Sequence, residues 1–438
     1  MQIYEYDQIP VEDTDNEKCL SEEEVKILQN INLEFKKKKI IGKSFIKWSG
    51  QNRIEFRNYA GIISLSNKQI NKQIEILPKI FAPSNGNSSN YEESFMSFAR
   101  MVSYTFNTKP FDRDVIKMRQ IEKLGILDMI IFFYMSALKK AMNDGLYNNY
   151  ELEMFESRFI RGKICFDKQL SRIPSTVFMQ ESYIFTDNNE IMTYFKTVTL
   201  YFAKISQSNW LKLKMHRLST LFGDIQVLDI ASLRSTVIKF NRLNDIYQDA
   251  YNLSNLILSG FMITPSSQES LYGVVFLMDM NKLFENFFAV FIKKNWKYLS
   301  LWDYNSKIVT QKSGKHLFID SNARPLIPDV RILDERNLTK IVFDTKYKFR
   351  LTLDIQGNSL SKVSKADLFQ MYAYSTKYNA IDTILIYPSL TDTSEVDSLK
   401  FEENNRFKIW DINLNLSDDD WEKNMLVIFN GLIENLDI

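Results

Sequence analysis

The chain has 438 residues, of which 45% are hydrophobic and 25% are charged, and this length predicts two or three domains around more than one core. Because 55 basic residues balance 54 acidic ones, the chain as a whole lacks the basic signature of a nucleic-acid-binding protein, although a local basic patch remains compatible. Its two cysteines, Cys19 and Cys165, exclude a disulfide framework and a cysteine-rich zinc site, and they fit a reducing compartment.

The most apolar segment, residues 125–138, contains Asp128 and is too short to cross a bilayer. The first ten residues are acidic where a secretory signal needs a basic flank and an apolar stretch. We therefore predict a buried core helix at 125–138, no membrane association and a cytoplasmic location.

Residues 1–85 predict a small β-rich N-terminal domain with one helix. The helix is expected from Ser21 to about Lys36, because Ser21 and Glu24 form a capping-box pattern. Turn residues separate the short β-type runs, which are 3–6, 44–48, 53–56, 61–65 and 74–77. This domain is predicted to bind a partner.

The segment Gly42-Lys43-Ser44 ends like a phosphate-binding loop. The leading glycine of such a loop would fall at position 37, which is Lys37. We therefore expect this chain to bind no nucleotide.

Helical periodicity dominates the next part of the chain, after the polar linker 83–90. The expected helices cover 92–106, about 112 to 146, 189–203 and 237–259, with connectors around 158–164 and 186–188. This pattern predicts a mostly helical middle region, residues 86–265, whose aromatic side chains form a core.

The third predicted domain, residues 266–438, begins with a helix on which Glu285 lies among aromatic residues. Such a carboxylate faces either the solvent or a cavity, where it would complete a metal site. A helix over 366–378 and a strand over 383–387 follow, and we predict a mixed sheet with helices on its faces. Residues beyond 391 are weakly patterned, apart from a helix at about 421–432.

Two acidic residues and a lysine stand at the ends of two apolar runs in this domain. Asp329 precedes the run 330–333, and the run 341–343 leads into Asp344-Thr345-Lys346. Side chains alternate along a strand, so Asp344 and Lys346 project from the same side. The cluster can hold a divalent metal and place an ammonium near an attacking water. The alternative is an exposed ion pair beside a turn.

Gln370 and Tyr374 share one face of the following helix at a spacing of four residues, so both can point at one ligand. Together, Pro328-Asp329, Asp344-Thr345-Lys346, Gln370 and Tyr374 resemble the active-site signature of the PD-(D/E)xK nucleases. Further segments are similar to the McrC family of McrBC-type, modification-dependent (type IV) restriction endonucleases: MDMNKLFENF (278–287), DTKYK (344–348), DLFQMYAY (367–374), IEILPKI (74–80), GLYNNY (145–150) and RGKI (161–164).

This resemblance implies a DNA endonuclease subunit with a restriction-endonuclease-like α/β core and one or two Mg²⁺ ions. Asp329, Asp344 and the carbonyl of Thr345 would be metal ligands, with Glu285 as a further candidate. Lys346 would orient or activate water, and Gln370 and Tyr374 would position DNA or metal-bound water.

The resemblance also implies partners. These are a separate McrB-like AAA+ GTPase hexamer, which this chain would stimulate, and double-stranded DNA of phage or other foreign origin in the bacterial cytoplasm. A double-strand cut needs two active sites, so dimerisation of complexes is expected. Lys348 and Arg350 are candidates for contacts with the DNA backbone.

Two alternatives remain open: a non-catalytic scaffold that activates a AAA+ ring, and a stand-alone DNA repair nuclease of related fold. The intact Asp-x-Lys motif favours the enzyme, since a scaffold needs neither residue. Residues 170–260 match the family weakly, so their role is undefined.

Overall fold

Helices and strands occur along the whole chain in a computed structural model. It describes residues 1–12, 19–37, 39, 41–50, 52–66, 71–82, 91–106, 124–143, 145–171, 176–260, 274–300, 306–318, 324–348, 363–390, 394–402, 405–416 and 420–436. The predicted linker 83–90, the start of the helix expected from about 112, and Arg350 lie outside these residues. In the described ranges, no helix has the length and apolarity needed to cross a membrane.

The strands are β1 (Gln2–Tyr4), β2 (Gln8–Pro10), β3 (Ile46–Trp48), β4 (Arg53–Phe56), β5 (Tyr59–Ser66), β6 (Asn71–Leu77), β7 (Asn149–Ser157), β8 (Lys163–Ile164), β9 (Phe178–Thr186), β10 (Val274–Asp279), β11 (Lys307–Thr310), β12 (Lys315–His316), β13 (Pro325–Leu326), β14 (Val330–Leu333), β15 (Thr339–Thr345), β16 (Asp382–Ser389), β17 (Ser394–Glu402) and β18 (Asn405–Asn413). The α-helices are α1 (Glu22–Lys37), α2 (Tyr91–Thr105), α3 (Ile126–Ala141), α4 (Phe166–Leu170), α5 (Glu190–Ile205), α6 (Asn209–Thr220), α7 (Ile230–Ser235), α8 (Gln248–Gly260), α9 (Met280–Asn295), α10 (Lys365–Tyr378) and α11 (Trp421–Glu434). The protein is therefore of mixed α/β class.

The chain divides into two compact units. The first contains Met1–Phe111 and Gly260–Ile438, and the second contains Asp112–Ser259. Most of the predicted N-terminal and nuclease segments thus lie together in the first unit, where β10 pairs with β5 in antiparallel orientation. Helix α2, expected in the middle region, also belongs to the first unit and packs on α9.

The N-terminal elements follow the sequence pattern closely. The backbone N–H of Ser21 donates to Glu24 Oε2 at 2.9 Å, and the Glu24 N–H donates to Ser21 Oγ at 3.2 Å, which confirms the capping box. The strands form two sheets, with orders β1-β6-β5-β10 and β2-β4-β3. Buried residues such as Leu28, Phe35 and Phe56 join helix and sheets in one core.

Gly61 allows the close approach of β5 and β10. Its φ is +149°, and a Cβ at this position would lie 2.0 Å from the carbonyl oxygen of Phe276. We expect Gly61→Ala to lower the free energy of unfolding by roughly 2–4 kcal/mol, because backbone must move and the new residue is strained. Urea unfolding measures this loss.

A matched control is Gly431→Ala in α11, where an added Cβ meets no atom within 4 Å. This change should raise stability by up to about 1 kcal/mol, because alanine favours a helix interior. If Gly61→Ala unfolds at the same urea concentration as the wild type, β5 and β10 do not approach each other as closely as in the structure.

The second unit contains helices α3 to α8 and a sheet that the sequence did not predict. Helix α3 is buried as expected, and its Asp128 accepts bonds from Ser206 Oγ at 2.7 Å and from the N–H groups of Gln207 and Ser208 at 3.0 Å each. The sheet has the order β7-β9-β8. The expectation of helices joined by connectors was therefore incomplete, because β7 is largely exposed on both faces and lacks the alternation of a half-buried strand.

A six-stranded mixed sheet of order β11-β14-β15-β16-β18-β17 forms the centre of the C-terminal part. Strands β14 and β15 are antiparallel, whereas β15, β16 and β18 run parallel. One face packs on α9 and α11 through Phe288, Phe343 and Phe429, and the opposite face packs on α10 through Val342 and Met371. The predicted mixed sheet flanked by helices is confirmed.

Six strands of this region, β10, β11, β12, β13, β17 and β18, were not predicted from the sequence. Strand β10 precedes α9 in a run that was read only for its helical spacing, and β17 and β18 follow residue 391. β17 is an edge strand whose pairing with β18 shifts register twice, which weakens the period-two signal. The position of β17 in the sheet is set by its pairing with β18, which the sequence of β17 alone does not reveal.

Candidate active site

Strand pairing brings the predicted acidic residues together. In the antiparallel β14–β15 ladder, Val330 pairs with Phe343, so Asp329 lies just before β14, close to the end of β15. The backbone N–H and the hydroxyl of Thr345 both donate to Asp329 Oδ2, at 2.7 Å each. Thr345 thereby fixes the orientation of the Asp329 carboxylate.

Asp344 and Lys346 form a buried ion pair. Lys346 Nζ donates to Asp344 Oδ2, and Asp344 is only 2% exposed. The backbone N–H of Lys346 donates to the Ile386 carbonyl at 2.8 Å, which ties the end of β15 to β16. The alternative of an exposed pair beside a turn is therefore wrong.

The pKa values of both aspartates are raised. Burial raises the pKa of Asp344 to about 7, and the nearby Asp329 carboxylate adds to the rise although Lys346 opposes it. Burial also raises the pKa of Asp329, while the two Thr345 bonds and Lys346 lower it. Two carboxylates that resist ionisation side by side indicate a site where negative charge is concentrated.

Glu285 lies on α9, is half-buried, and feels the same charges. Burial raises the pKa of Glu285 to about 7, and Asp329 and Asp344 contribute to this rise while Lys346 opposes it. The sequence left open whether this carboxylate faces solvent or the site, and the structure places it in the electrostatic field of the site. Its role as a metal ligand stays a prediction.

Gln370 and Tyr374 bond to each other on α10. Gln370 Nε2 donates to Tyr374 Oη at 2.7 Å, and Tyr374 Oη donates to the Ile327 carbonyl at 3.1 Å. One turn later, Tyr378 Oη donates to the Leu326 carbonyl at 2.7 Å. The helix therefore holds the two residues that lead into Pro328-Asp329. A direct contact of this pair with DNA or water stays a prediction.

Tyr374→Phe tests this holding role. Losing the bond to the Ile327 carbonyl should loosen the segment before Asp329 and lower the DNA cleavage that the resemblance implies by roughly tenfold, with a stability loss of only about 1 kcal/mol. Single-turnover cleavage and urea unfolding measure the two effects. Tyr183→Phe on β9, where the tyrosine is 69% exposed, serves as the control and should leave both unchanged.

Sequence reasoning missed a second ion pair near the site. Lys348 Nζ donates to Asp367 Oδ1 at 3.1 Å and to Oδ2 at 2.8 Å. Asp367 is buried in the first turn of α10, and its charge contributes to raising the pKa of Asp344. The signal available in the sequence was the position of Asp367 three residues after the N-cap Ser364. Lys348, expected to contact DNA, is thus already paired.

The aspartate pair suits a small, hard cation such as Mg²⁺. Asp329 and Asp344 each use Oδ2 for the bonds given above, and within the described ranges Oδ1 of each accepts no hydrogen bond. Mg²⁺ is commonly held by one or two carboxylates, with water and substrate phosphate completing its shell. In the described part of the chain, no group of three or more His, Cys, Asp or Glu is arranged to hold a metal. The two aspartates supply oxygen ligands only, which fit Mg²⁺ better than zinc.

Fold and site together define a class of mixed α/β proteins. In this class, an aspartate and an Asp-x-Lys motif meet at the strand ends of a mixed sheet that is flanked by helices. The model of the family described as "McrBC 5-methylcytosine restriction system component" matches residues 54–388 of the chain. The chain therefore belongs to the McrBC family, and it is a component of this type of restriction system.

The solved structures that are similar to the chain include two from Thermococcus gammatolerans. One is the refined half-complex from the tetradecameric assembly of Thermococcus gammatolerans McrB AAA+ hexamers with bound McrC, with a TM-score of 0.67, 19% identity and 99% of both chains covered. The other is the cryo-EM structure of the T. gammatolerans McrBC complex, with a TM-score of 0.49 and 22% identity over 68% of this chain and 88% of that chain. A comparison with curated proteins finds no match.

Proposed function

We propose that this chain is the McrC-type endonuclease subunit of an McrBC restriction system, which cuts double-stranded DNA with the help of Mg²⁺. The observation that carries this proposal is the buried cluster of Asp329, Asp344 and Lys346 at the end of β15. A purely structural protein gains little from it, because burying carboxylates side by side costs free energy. A bound cation and a phosphate would offset this free-energy cost.

The residues of the cluster have separate roles in hydrolysis of a phosphodiester. When bound, Mg²⁺ would neutralise charge on the scissile phosphate and acidify an attacking water. Asp329 and Asp344 would hold the ion, with the Thr345 carbonyl as a further ligand and Glu285 as a candidate fourth. Gln370 and Tyr374 would keep Asp329 in place and position DNA or metal-bound water.

Lys346 acts as a cation in this proposal. Burial lowers the pKa of Lys346, but the Asp344 carboxylate and its hydrogen bond, with Asp329 and Asp367, raise it above the usual range overall. The ammonium therefore stays protonated at neutral pH. It can orient the attacking water and stabilise charge that develops on the phosphate, whereas it is poorly suited to remove a proton.

The partner in this proposal is a McrB-like AAA+ GTPase hexamer whose activity the chain stimulates. Support comes from the T. gammatolerans assembly of McrB AAA+ hexamers with bound McrC, whose fold is similar over 99% of this chain. The lysine at position 37, where a phosphate loop needs glycine, supports nucleotide hydrolysis by the partner. Pairing of two complexes would supply the two sites of a double-strand cut.

The test combines the purified chain, a McrB-like AAA+ GTPase, GTP, and plasmid DNA with and without 5-methylcytosine. We expect cleavage with Mg²⁺ that EDTA abolishes, and faster GTP hydrolysis when the chain is present. Asp344→Ala should remove cleavage while it leaves GTPase stimulation intact.

The control is Glu335→Gln, an exposed carboxylate in the turn between β14 and β15, which should cut like the wild type. Stimulation of the GTPase without cleavage of any DNA would support the scaffold alternative. Cleavage that needs no AAA+ partner would support the stand-alone nuclease.

A further inference from the structure

Tyr347 follows the candidate catalytic lysine and points into the N-terminal part of the same compact unit. It is 3% exposed, between Lys346 and Lys348 in sequence. Its hydroxyl donates to Glu5 Oε2 at 3.2 Å, and its ring lies 6.1 Å from that of Phe284 on α9. The residue next to Lys346 is therefore anchored more than 300 positions away in sequence, since the bond to Glu5 spans 342 residues.

Lys79 holds the other end of Tyr347. Lys79 Nζ donates to the Tyr347 carbonyl at 3.1 Å, and its ammonium lies 4.8 Å from the centre of the Tyr347 ring. The backbone N–H of Lys79 donates to Glu5 Oε2 at 3.0 Å. Glu5 and Lys79 thus grip both the hydroxyl and the backbone carbonyl of Tyr347.

Burial of the charged groups in this network costs free energy, so the network contributes little to stability. Glu5 is 1% and Lys79 9% exposed, and in the described ranges Glu5 Oε1 has no hydrogen-bond partner. Buried polar and charged groups of this kind often contribute less to stability than apolar residues of similar size. What such a network does provide is a fixed geometry, because each polar group has one low-energy arrangement.

The end of β15 needs that geometry. The β15–β16 ladder stops at Thr345, after which only the Lys346 N–H to Ile386 bond continues it. The next backbone bond, from the Lys348 N–H to the Lys346 carbonyl at 2.8 Å, is a local turn. Without the contacts to Tyr347, the backbone between Lys346 and Lys348 would be held only through the Ile386 bond and the Asp344 and Asp367 ion pairs at its two ends. A misplacement of about 1 Å at a catalytic group can cost about a hundredfold in rate.

We propose that Tyr347, gripped by Glu5 and Lys79, is a positioning residue that fixes Lys346 at the candidate active site, so that β1 and the segment after β6 complete the site. This inference rests on the proposed nuclease function for its effect on rate, but the grip itself can be tested without DNA. It makes the N-terminal part of the chain a component of the site as well as a predicted partner-binding region.

The first experiment measures amide hydrogen exchange of the full chain without metal or DNA. Tyr347→Phe keeps the ring and removes the bond to Glu5, and it should speed exchange of the amides of residues 346 and 348 about tenfold. Glu5→Gln should stay near wild type, because its amide oxygen can accept both bonds. The control Tyr134→Phe removes a buried hydroxyl that donates to the Phe195 carbonyl in the other unit, and it should leave these amides unchanged.

The second experiment measures cleavage by the assembled complex under single-turnover conditions. Tyr347→Phe should lower the maximal rate about tenfold with an unchanged half-saturating DNA concentration, and Glu5→Gln should retain the wild-type rate within about threefold. Lys79→Met, which removes the bond to the Tyr347 carbonyl, is the independent second variant and should act like Tyr347→Phe.

Unchanged exchange at residues 346 and 348 in both Tyr347→Phe and Lys79→Met would overturn the inference. A wild-type cleavage rate in variants whose exchange has increased would overturn it as well. If the wild type cuts no DNA, the exchange result still decides whether the grip exists, and the failure belongs to the proposed function.

Discussion

Asp344→Asn should abolish DNA cleavage, by at least about a thousandfold, and at the same time make the metal-free protein more stable at pH 8. The loss follows because Asp344 is a candidate metal ligand and the partner of Lys346. The gain follows because the substitution removes a buried negative charge that Asp329 opposes. In the variant, Lys346 still interacts favourably with the negative charges of Asp329 and Asp367.

The sign of the pH dependence follows from the raised pKa of Asp344. The unfolded chain releases this proton near pH 4, whereas the folded protein keeps it until about pH 7. Between these values the folded state binds more protons, so the free energy of unfolding decreases as pH rises. Above about pH 7 the penalty is complete.

Thermal unfolding in EDTA at pH 5 and pH 8 measures this effect. The stabilisation of Asp344→Asn should be larger at pH 8 and should shrink toward pH 5, where folded Asp344 already carries its proton. Glu335→Gln, which changes an exposed carboxylate, should show no such difference. An Asp344→Asn protein that is less stable than the wild type at pH 8 would contradict the electrostatic account of the site.

Lys346→Met should also reduce cleavage, by about a hundredfold or more, but its effect on stability should have the opposite sign. Methionine keeps most of the buried stem and removes the ammonium that compensates Asp344 and Asp329. Breaking a buried ion pair in this way typically costs roughly 3 kcal/mol. The cost should be greatest at pH 8, where both carboxylates would otherwise ionise.

Added Mg²⁺ provides a second measurement on the same variant. An ion between Asp329 and Asp344 replaces part of the missing positive charge, so Mg²⁺ should raise the unfolding temperature of Lys346→Met more than that of the wild type. Lys340→Met, earlier on β15 and half-buried, is the control and should respond to Mg²⁺ like the wild type. Equal Mg²⁺ responses in all three proteins would argue against a cation at the aspartate pair.

Opposite stability changes with a common loss of cleavage would distinguish a catalytic cluster from a structural ion pair. If Asp344 and Lys346 served the fold alone, removing either would destabilise the protein. A site that holds a cation is strained without it, and only the removal of negative charge relieves that strain. The stability changes of the two variants test the charge arrangement of the site without any DNA, and the cleavage measurement adds the test of catalysis.

Local patterns were sufficient for much of the C-terminal sheet. The runs at 330–333 and 341–343 became β14 and β15, and Ser21 with Glu24 marked the start of α1, as predicted. These signals are local, because side-chain direction repeats every two residues in a strand and capping involves residues three apart. Strands β7, β9 and β17 were not predicted, since exposed or edge strands lack a clearly buried face. Strand β18 was not predicted either, although it lies inside the sheet and is largely buried.

The sequence by itself determined which chemical groups the site contains: two aspartates, a lysine in an Asp-x-Lys motif, and a glutamine and a tyrosine one helical turn apart. Only the tertiary structure decided that Asp329 is oriented by Thr345, that the Asp344–Lys346 pair is buried, and that Glu5 and Lys79 grip Tyr347. The physical reason is that desolvation and hydrogen-bond geometry depend on neighbours far away in sequence. Periodicity within one segment carries no information about them.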